Sequence, residues 1–249
     1  MLTAGLVDRL SALKLHGMAK ALEDIYNSKA SADLDFEDRL TLMIDHEEAV
    51  RADRSLQRRL RVAKLRFPDA AIEDVDFRHK RGLKRASFLA LARCEWVKSA
   101  YNLLLTGKTG LGKSWLACAL GHRACREGFT VRYLRVPTLL DMMKAARGDG
   151  TAPRLTERLG KAQLLILDDF GLYPMDRDQH RDLMEIIEER AQLRSTIVTS
   201  QLDVKDWHHA FGDPTVADAI LDRLVNSAYR LELEGESMRG EQRPPELST

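Results

Sequence analysis

Apolar residues recur in two different rhythms along this chain, and the rhythm changes near residue 88. Between residues 2 and 27 they return every three to five positions, which predicts an amphipathic helix that bends at Gly17. Residues 31–66 keep a helical spacing, become basic in their second half, and are followed by a break at Pro68. We therefore expect a small all-helical N-terminal domain over residues 1–66.

From residue 88 onward, continuous apolar runs alternate with helical segments. The runs predict five strands, at residues 102–106, 129–136, 162–169, 195–200 and 228–235. The helices between them are predicted at residues 113–126, 138–146, 153–160, 178–192, 203–211 and 215–226. Such alternation is typical of a parallel sheet that is covered on both faces. The expected fold class is therefore α/β, with a parallel five-stranded sheet between helices over residues 67–240. Residues 241–249 are expected to be a disordered tail.

A glycine-rich loop separates the first predicted strand from its helix. Residues 107–114, GKTGLGKS, match the phosphate-binding pattern G-x-x-x-x-G-K-[ST]. Glycines let backbone N–H groups converge on phosphate oxygens, and the helix adds its positive dipole end. Lys113 is expected to reach the β- and γ-phosphates of ATP, and Ser114 to bind Mg²⁺. The predicted ATP-binding residues are Gly107, Lys108, Thr109, Gly110, Leu111, Gly112, Lys113, Ser114 and Trp115.

Two acids end the third predicted strand, in the run LLILDDF. Ligands of open α/β sheets bind at the carboxyl ends of strands. Asp168 is expected to hold Mg²⁺, directly or through water, and Asp169 to orient and polarise the attacking water. The alternative is a pair of capping acids on an exposed turn, and the neighbouring phosphate loop favours the metal site.

Two further positions are candidates for the chemistry. The fourth strand ends at Thr199, Ser200 and Gln201, which are placed to touch the γ-phosphate or the attacking water unless they are ordinary strand-end polarity. Arg223 lies on a helix far along the chain from the loop. It is a candidate for stabilising transition-state charge in a neighbouring subunit, and a surface salt bridge is the alternative.

Charge is balanced overall but unevenly distributed. The 249 residues include 39 basic and 38 acidic side chains, for a net charge of +1, which by itself identifies no partner. Basic residues cluster at 51–66 and 78–85, and such clusters can neutralise DNA phosphates without reading sequence. A solvated helix face or an acidic protein partner is the alternative. The candidate DNA contacts are Arg51, Arg54, Arg58, Arg59, Arg61, Lys64, Lys80, Arg81, Lys84 and Arg85.

Cysteine usage and hydropathy point to a reducing, cytoplasmic setting. The three cysteines form no CxxC pair, so neither a metal site nor a disulfide is expected. Charged residues interrupt the N-terminal apolar pattern, so no secretory signal is expected there. No apolar run approaches the length of a membrane span.

Four segments together resemble the IstB-like helper ATPases of bacterial insertion sequences. They are GKTGLGKSWLACALGHRACREGFTVRYLRV, LLILDDFGLYPM, STIVTSQLDVKDWH and DPTVADAILDRLVNSAYRLELEGESMR. The family consists of AAA+ ATPases related to the DnaC-type helicase loaders. The likeness extends to the order of the two N-terminal helical runs, and its later motifs are more specific than the phosphate loop.

The resemblance implies a role for several residues. It puts Asp168 and Asp169 at the Walker B pair, Ser200 at the sensor-1 position, Arg223 at the arginine finger and Arg239 near the sensor-2 motif. Three features depart from the general AAA+ pattern. Asp169 replaces the commoner glutamate, although this is typical of IstB-like proteins, and Ser200 stands where asparagine is usual. The chain ends soon after the last strand, so no C-terminal lid domain is expected.

The resemblance also implies a function. Members assemble on duplex DNA as ATP-dependent oligomers, remodel it and pass it to a transposase. The expectation is a transposition helper that uses ATP and Mg²⁺, whose partners are duplex DNA, a cognate transposase and copies of itself in a head-to-tail ring or helix, with no membrane. Two alternatives remain: a DnaC-type replicative helicase loader, and a monomeric small-molecule kinase that ignores DNA.

Overall fold

The computed structural model describes residues 2–28, 34–211 and 214–238, and it divides the chain into two compact units, Met1–Arg58 and Arg59–Thr249. This division lies before residue 66, where the sequence pattern puts the end of the first domain. Ala63 and Leu65 are buried, and the Arg59 Nε donates to the Cys125 carbonyl at 2.8 Å. The last residues of the basic run therefore belong to the second unit. The predicted tail, residues 241–249, lies outside the described part of the chain.

The first unit is helical. Its elements are α1 (Leu2–Ala12), α2 (His16–Asn27) and the greater part of α3 (Phe36–Ala63). The helix is interrupted between α1 and α2, where Lys14 has φ 61°, so the predicted bend at Gly17 is wrong. Gly17 instead lies in the first turn of α2, and its N–H donates to the Glu47 carboxylate at 2.6 Å. A Cβ on Gly17 would lie 2.5 Å from the Glu47 Cα, so the glycine permits close helix packing.

The second unit contains the sheet. A 3₁₀ turn (Ile72–Asp74) and the short helices α4 (Arg85–Leu91) and α5 (Glu95–Lys98) precede it. Strands and helices then follow in this order: β1 (Asn102–Gly107), α6 (Lys113–Arg126), β2 (Val131–Arg135), α7 (Val136–Gly148), α8 (Ala152–Gly160), β3 (Leu164–Phe170), α9 (Arg177–Glu188), β4 (Ser195–Ser200), α10 (Trp207–Phe211), α11 (Pro214–Val225) and β5 (Ala228–Leu233).

All five strands pair in parallel, in the order β2-β3-β4-β1-β5. This confirms the predicted fold class. The central strands are apolar on both faces because helices cover both, and Leu103, Leu104 and Leu105 of β1 are fully buried. Parallel strands end at the same edge of a sheet, so the loops after β1, β3 and β4 meet there. None of the helices in the described ranges is long and apolar enough to cross a membrane.

Candidate active site

The glycine-rich loop connects β1 to α6 and depends on backbone shapes that only glycine adopts easily. Gly107 has φ 136°, and a Cβ there would collide with the Leu233 carbonyl of β5. Gly112 has φ 82° and directly precedes α6, and a Cβ there would lie 2.7 Å from the Arg81 Nη1. The loop therefore brings the amino end of α6 to the carboxyl edge of the sheet, where an anion is favoured.

Lys113 is the first residue of α6 and is only 8% exposed. Its Nζ donates to the Gly107 carbonyl at 2.5 Å and to the Lys108 carbonyl at 2.8 Å. The ammonium is thus held against the loop, at the place where phosphate oxygens would compete with these carbonyls for it. Among the other predicted loop residues, Lys108 and Thr109 are exposed, Leu111 is buried, and Trp115 is half-buried in the first turn of α6.

Asp168 lies near the end of β3 and is fully buried. The Ser114 hydroxyl donates to its Oδ1 at 2.7 Å, and the Thr199 hydroxyl donates to the same oxygen. The structure therefore brings together the two residues that were predicted to bind the metal. A carboxylate and a hydroxyl beside a phosphate loop are hard oxygen donors, which suit Mg²⁺.

The second oxygen of Asp168 has partners that the sequence analysis did not identify. The Tyr133 hydroxyl donates to Oδ2 at 2.5 Å, and the Arg66 Nη1 lies 3.8 Å from the same atom. Burial, and then the hydrogen bond to Asp168, raise the pKa of Tyr133. Tyr133 belongs to β2, which pairs with β3, so only the strand order reveals that it reaches Asp168. The sequence carries no direct signal for this contact.

Asp169, the predicted water-polarising residue, is paired with Arg135, whereas Asp168 is paired with Arg66. Its Oδ2 accepts from the Arg135 Nε at 2.7 Å, and its backbone N–H donates to the Thr199 hydroxyl at 3.3 Å. Asp169 has φ 60°, in the left-handed region that side chains rarely adopt. The hydrogen bond and charge of Asp169 raise the pKa of Arg135. Arg135 ends β2, so this partner too follows from the strand order rather than from a motif.

Ser200 does not join this cluster. It is 1% exposed, its hydroxyl donates to the Phe170 carbonyl at 2.8 Å, and its oxygen accepts the Leu202 N–H at 3.1 Å. Successive strand residues point to opposite faces, and it is Thr199 that reaches Asp168 and Asp169. The hydroxyl of Ser200 shapes the turn after β4, and Thr199 takes the place beside the acids.

Arg223 lies at the opposite edge of the sheet. Its backbone carbonyl accepts from the Asn102 Nδ2 at 3.0 Å, at the amino end of β1, whereas the loop begins at the carboxyl end of that strand. Five strand residues span about 16 Å at roughly 3.3 Å each. The guanidinium forms an ion pair with Glu188 and donates to the Ala219 carbonyl at 2.9 Å. Arg223 is therefore not brought to the phosphate loop of its own chain.

The prediction that Arg81 contacts DNA is wrong, because this residue is buried. Its side chain is 2% exposed, and its two Nη atoms donate to the Leu111 carbonyl at 2.9 Å and the Asp76 carbonyl at 3.1 Å. Burial lowers its pKa. This arginine supports the phosphate loop through its hydrogen bond to Leu111, and its guanidinium is too buried to contact DNA. A basic cluster in the sequence does not distinguish such a residue from its exposed neighbours.

Most of the other predicted DNA contacts are exposed. In the first cluster only Arg59 is half-buried, through its bond to Cys125, while the exposed members are Arg51, Arg54, Arg58, Arg61 and Lys64. In the second cluster Lys80, Lys84 and Arg85 are exposed, and the Arg85 guanidinium lies 5.8 Å from the centre of the Phe77 ring.

The segment after β5 lies beside the loop. The Met238 N–H donates to the Gly110 carbonyl at 3.1 Å, and the Glu234 N–H donates to the Arg81 carbonyl at 3.2 Å. Arg239, the sensor-2 candidate, lies outside the described residues.

The cysteines take no part in this site. Cys94, Cys118 and Cys125 are buried, and burial raises their pKa values to about 11, 11 and 12. Across the described ranges no group of three or more His, Cys, Asp or Glu side chains is arranged to hold a metal ion. A metal at Asp168 would therefore need phosphate oxygens of a bound nucleotide as further ligands.

Comparison with known proteins agrees with this geometry. The sequence model of the IstB-like ATP binding proteins matches residues 8–245. An insertion sequence ATP-binding protein of Sinorhizobium fredii, y4pL, is 50% identical over 98% of this chain and 99% of its own. The IS21 ATP-binding protein of Pseudomonas aeruginosa is 31% identical over 92% of this chain and 86% of its own.

Solved structures share the fold at lower identity. DnaI superposes with a TM-score of 0.58 at 22% identity, over 72% of this chain and 94% of that one. The DnaC helicase loader superposes with a TM-score of 0.54 at 20% identity, over 67% of this chain and 98% of that one. The chain therefore shares the fold of these two proteins.

Proposed function

This chain belongs to the family of IstB-like ATP-binding proteins, and from that premise we propose that it is the ATP-dependent helper of an insertion-sequence transposase. The chain is an ATPase of the AAA+ class. Beyond that, we infer that it binds ATP with Mg²⁺, assembles head to tail on duplex DNA, remodels it and delivers it to the transposase. ATP hydrolysis then switches the oligomer out of its DNA-bound state.

One observation carries the proposal: the Ser114 hydroxyl and the Asp168 carboxylate meet at 2.7 Å beside the phosphate loop. The two residues are 54 positions apart in the sequence and come from different elements. Their contact supports a magnesium-nucleotide site, because the phosphate-loop hydroxyl and the acid at the end of β3 are the two protein ligands that such sites use.

The residues of this chain suggest how hydrolysis proceeds. Lys113 exchanges its bonds to the loop carbonyls for phosphate oxygens and so draws the phosphates onto the loop. The metal would neutralise charge on the phosphates from Ser114 and Asp168. Asp169 accepts the proton of the attacking water once the Arg135 guanidinium releases its carboxylate. Thr199, next to both acids, helps to fix their positions.

Assembly is supported by the position of Arg223. It lies at the end of the sheet opposite its own loop and is 29% exposed, a position that supports action on the site of another subunit. A head-to-tail contact has different surfaces on its two sides and builds rings or helices. In such a contact Arg223 leaves Glu188 and approaches the phosphates bound by the neighbour.

DNA binding is supported by the exposed basic residues of the two clusters. Arg61 and Lys64 in the first cluster and Lys84 and Arg85 in the second are exposed. Such side chains contact phosphates rather than bases, so we expect binding that is independent of sequence and falls steeply as salt rises. The relatives named as insertion sequence proteins support a transposase as the recipient of the DNA.

The central experiment compares wild-type protein with Lys113→Ala in ATP-dependent assembly on long duplex DNA. Lys161→Ala, which removes an exposed lysine at the end of α8, is the matched control. We expect electron microscopy and sedimentation to show DNA-bound oligomers with wild-type and Lys161→Ala protein and none with Lys113→Ala. Undiminished assembly of Lys113→Ala would refute the nucleotide dependence.

A second experiment identifies the partner. The transposase of an IS21-type insertion sequence and a bacterial replicative helicase are each offered as bait in the presence of ATP. We expect the transposase to retain the protein and to stimulate phosphate release. Retention by the helicase alone would favour a loader of the DnaC type, whose likeness to this chain at 20% identity concerns the fold only.

A further inference from the structure

The Asp168 carboxylate has two sides, and the side away from the phosphate loop is held by residues with no assigned role. Oδ1 accepts from Ser114 and Thr199, which face the loop and the end of β4. Oδ2 accepts from the Tyr133 hydroxyl at 2.5 Å and has the Arg66 Nη1 at 3.8 Å. A carboxylate held at both oxygens cannot rotate, so Oδ1 stays directed toward Ser114.

Tyr133 is fixed on the sheet itself. It is 8% exposed and is paired with Ile166 of β3, two positions before Asp168 in that strand. Its hydroxyl therefore reaches Asp168 from a rigid neighbour. Such partners of a metal-binding carboxylate set its orientation and typically contribute about 10-fold to 100-fold to metal affinity or activity.

Arg66 reaches the same oxygen from a different part of the chain, directly after the basic end of α3. The helix ends at Ala63, Lys64 has φ 52°, and the buried Leu65 packs near Gly121 of α6. The Arg66 side chain is 45% exposed, and its guanidinium also lies 5.4 Å from the centre of the Phe67 ring. It therefore connects the solvent-facing basic run to the buried acid.

The segment that carries Arg66 is anchored to the elements that bind phosphate and metal. Arg59 donates to the Cys125 carbonyl of α6 at 2.8 Å, and Arg132 of β2 donates to the Val62 carbonyl at 2.7 Å. Arg61 lies between these two anchors and Lys64 lies between Val62 and Arg66, and both are exposed. A phosphate backbone bound by these two cations would act on a segment whose other end contacts Asp168.

We propose that Arg66 and Tyr133 are positioning residues for the metal-binding carboxylate, and that Arg66 makes magnesium-nucleotide binding sensitive to duplex DNA bound at Arg61 and Lys64. The inference rests on the proposed function, since it requires both the metal site and the DNA contact. In this arrangement DNA stabilises the segment 59–66 in the conformation that holds Asp168. DNA binding therefore tightens the binding of magnesium-nucleotide, and magnesium-nucleotide tightens the binding of DNA.

The test measures binding of a fluorescent, non-hydrolysable ATP analogue as Mg²⁺ is titrated. The variants are Tyr133→Phe, Arg66→Gln and Arg66→Lys, and Arg154→Gln, an exposed arginine of α8, is the matched control. Without DNA we expect Tyr133→Phe and Arg66→Gln to need about tenfold more Mg²⁺ for half-saturation. Arg66→Lys should recover part of this loss, and Arg154→Gln should match the wild type. Thermal melting establishes that each variant is folded.

The same titration with saturating short duplex DNA at low salt tests the coupling. DNA should lower the Mg²⁺ requirement of wild-type and Tyr133→Phe protein and leave that of Arg66→Gln unchanged. A wild-type Mg²⁺ dependence in folded Arg66→Gln and Tyr133→Phe would refute the positioning role. An undiminished DNA effect in Arg66→Gln would refute the coupling.

The controls distinguish failure of this inference from failure of the proposed function. If wild-type protein bound no duplex DNA at low salt, the coupling and the DNA part of the proposed function would both be refuted, while the positioning role would still be decided by the titration without DNA. If nucleotide binding in wild type were independent of Mg²⁺, the metal site itself, and the positioning role with it, would be refuted.

Discussion

The two edges of the sheet differ in how much of the hydrolytic machinery one chain supplies. At the carboxyl edge, Lys113, Ser114 and Asp168 already lie within hydrogen-bonding reach of the loop or of one another. At the amino edge, Arg223 is paired with Glu188 and lies away from the phosphate loop of its own chain. Under the proposed function, this difference predicts that nucleotide binding is a property of the single chain, whereas hydrolysis requires two adjacent subunits.

The largest effect is expected from Arg223→Ala, which tests whether the amino edge of one chain serves the site of another. Loss of a trans arginine typically costs about 10³-fold or more in turnover, and nucleotide affinity should be unchanged because the residue is far from its own loop. Mixing this variant with Asp168→Asn should restore part of the activity, since some contacts then join an intact Asp168 to an intact Arg223. Phosphate release at several mixing ratios measures this. Arg230→Ala, an exposed arginine of β5, is the control. Absence of recovery at every ratio would show that Arg223 does not act across subunits.

Asp168→Asn sharpens the comparison from the other edge. Alone it should lower turnover about 100-fold to 1,000-fold, because a neutral amide neither binds the metal as well nor accepts four polar contacts in the same way. Mixing it with Lys113→Ala should restore nothing, since both changes affect the carboxyl edge and every site lacks one of the two residues. Recovery in this mixture would contradict the assignment of both residues to one chain's site.

Arg81→Met tests whether the carboxyl edge depends on support from outside the loop. Loss of its bonds to the Leu111 and Asp76 carbonyls should destabilise the protein by about 1.5–3 kcal/mol and weaken nucleotide binding. The salt dependence of DNA binding should not change. Arg85→Met, from the same cluster but exposed, should have the opposite profile, with normal stability and a salt slope smaller by about one. Chemical denaturation and DNA binding at several salt concentrations distinguish them.

The smallest effect concerns Arg135→Gln. The pair with Asp169 is partly exposed on the arginine side, and such pairs contribute about 0.2–1 kcal/mol, so its loss should raise basal turnover by at most about fivefold by releasing the acid. Nucleotide affinity should remain at the wild-type value. A fall in turnover would instead mean that Arg135 itself contributes to the reaction. Single-turnover phosphate release measures the change.

Much of the fold was predictable because the strands are buried on both faces. A strand such as β1, with Leu103–Leu105 fully buried, has an apolar run that the sequence displays directly. The phosphate loop and the acid after β3 were predictable for a similar reason, since each is a local motif at a strand end. Their meeting at Ser114 and Asp168 followed from parallel topology alone.

The partners of the two acids were not predictable in the same way. Tyr133 and Arg135 reach Asp168 and Asp169 because β2 lies beside β3, and strand order is not written in any single segment. Arg81 was misassigned because a buried arginine looks the same as an exposed one in a basic cluster. Gly17 was read as a bend because the close approach of Glu47 comes from another helix.

The φ of 60° at Asp169 limits which amino acids natural variation can place there. Aspartate and asparagine tolerate this backbone region better than other residues with side chains, and for a residue of ordinary shape the left-handed conformation costs about 1–2 kcal/mol. A longer acid would bring its carboxylate farther out at the expense of conformational strain. The shorter acid at this position thus has an explanation in the main chain: a glutamate would have to adopt the same left-handed conformation near the end of β3, at a greater cost in strain.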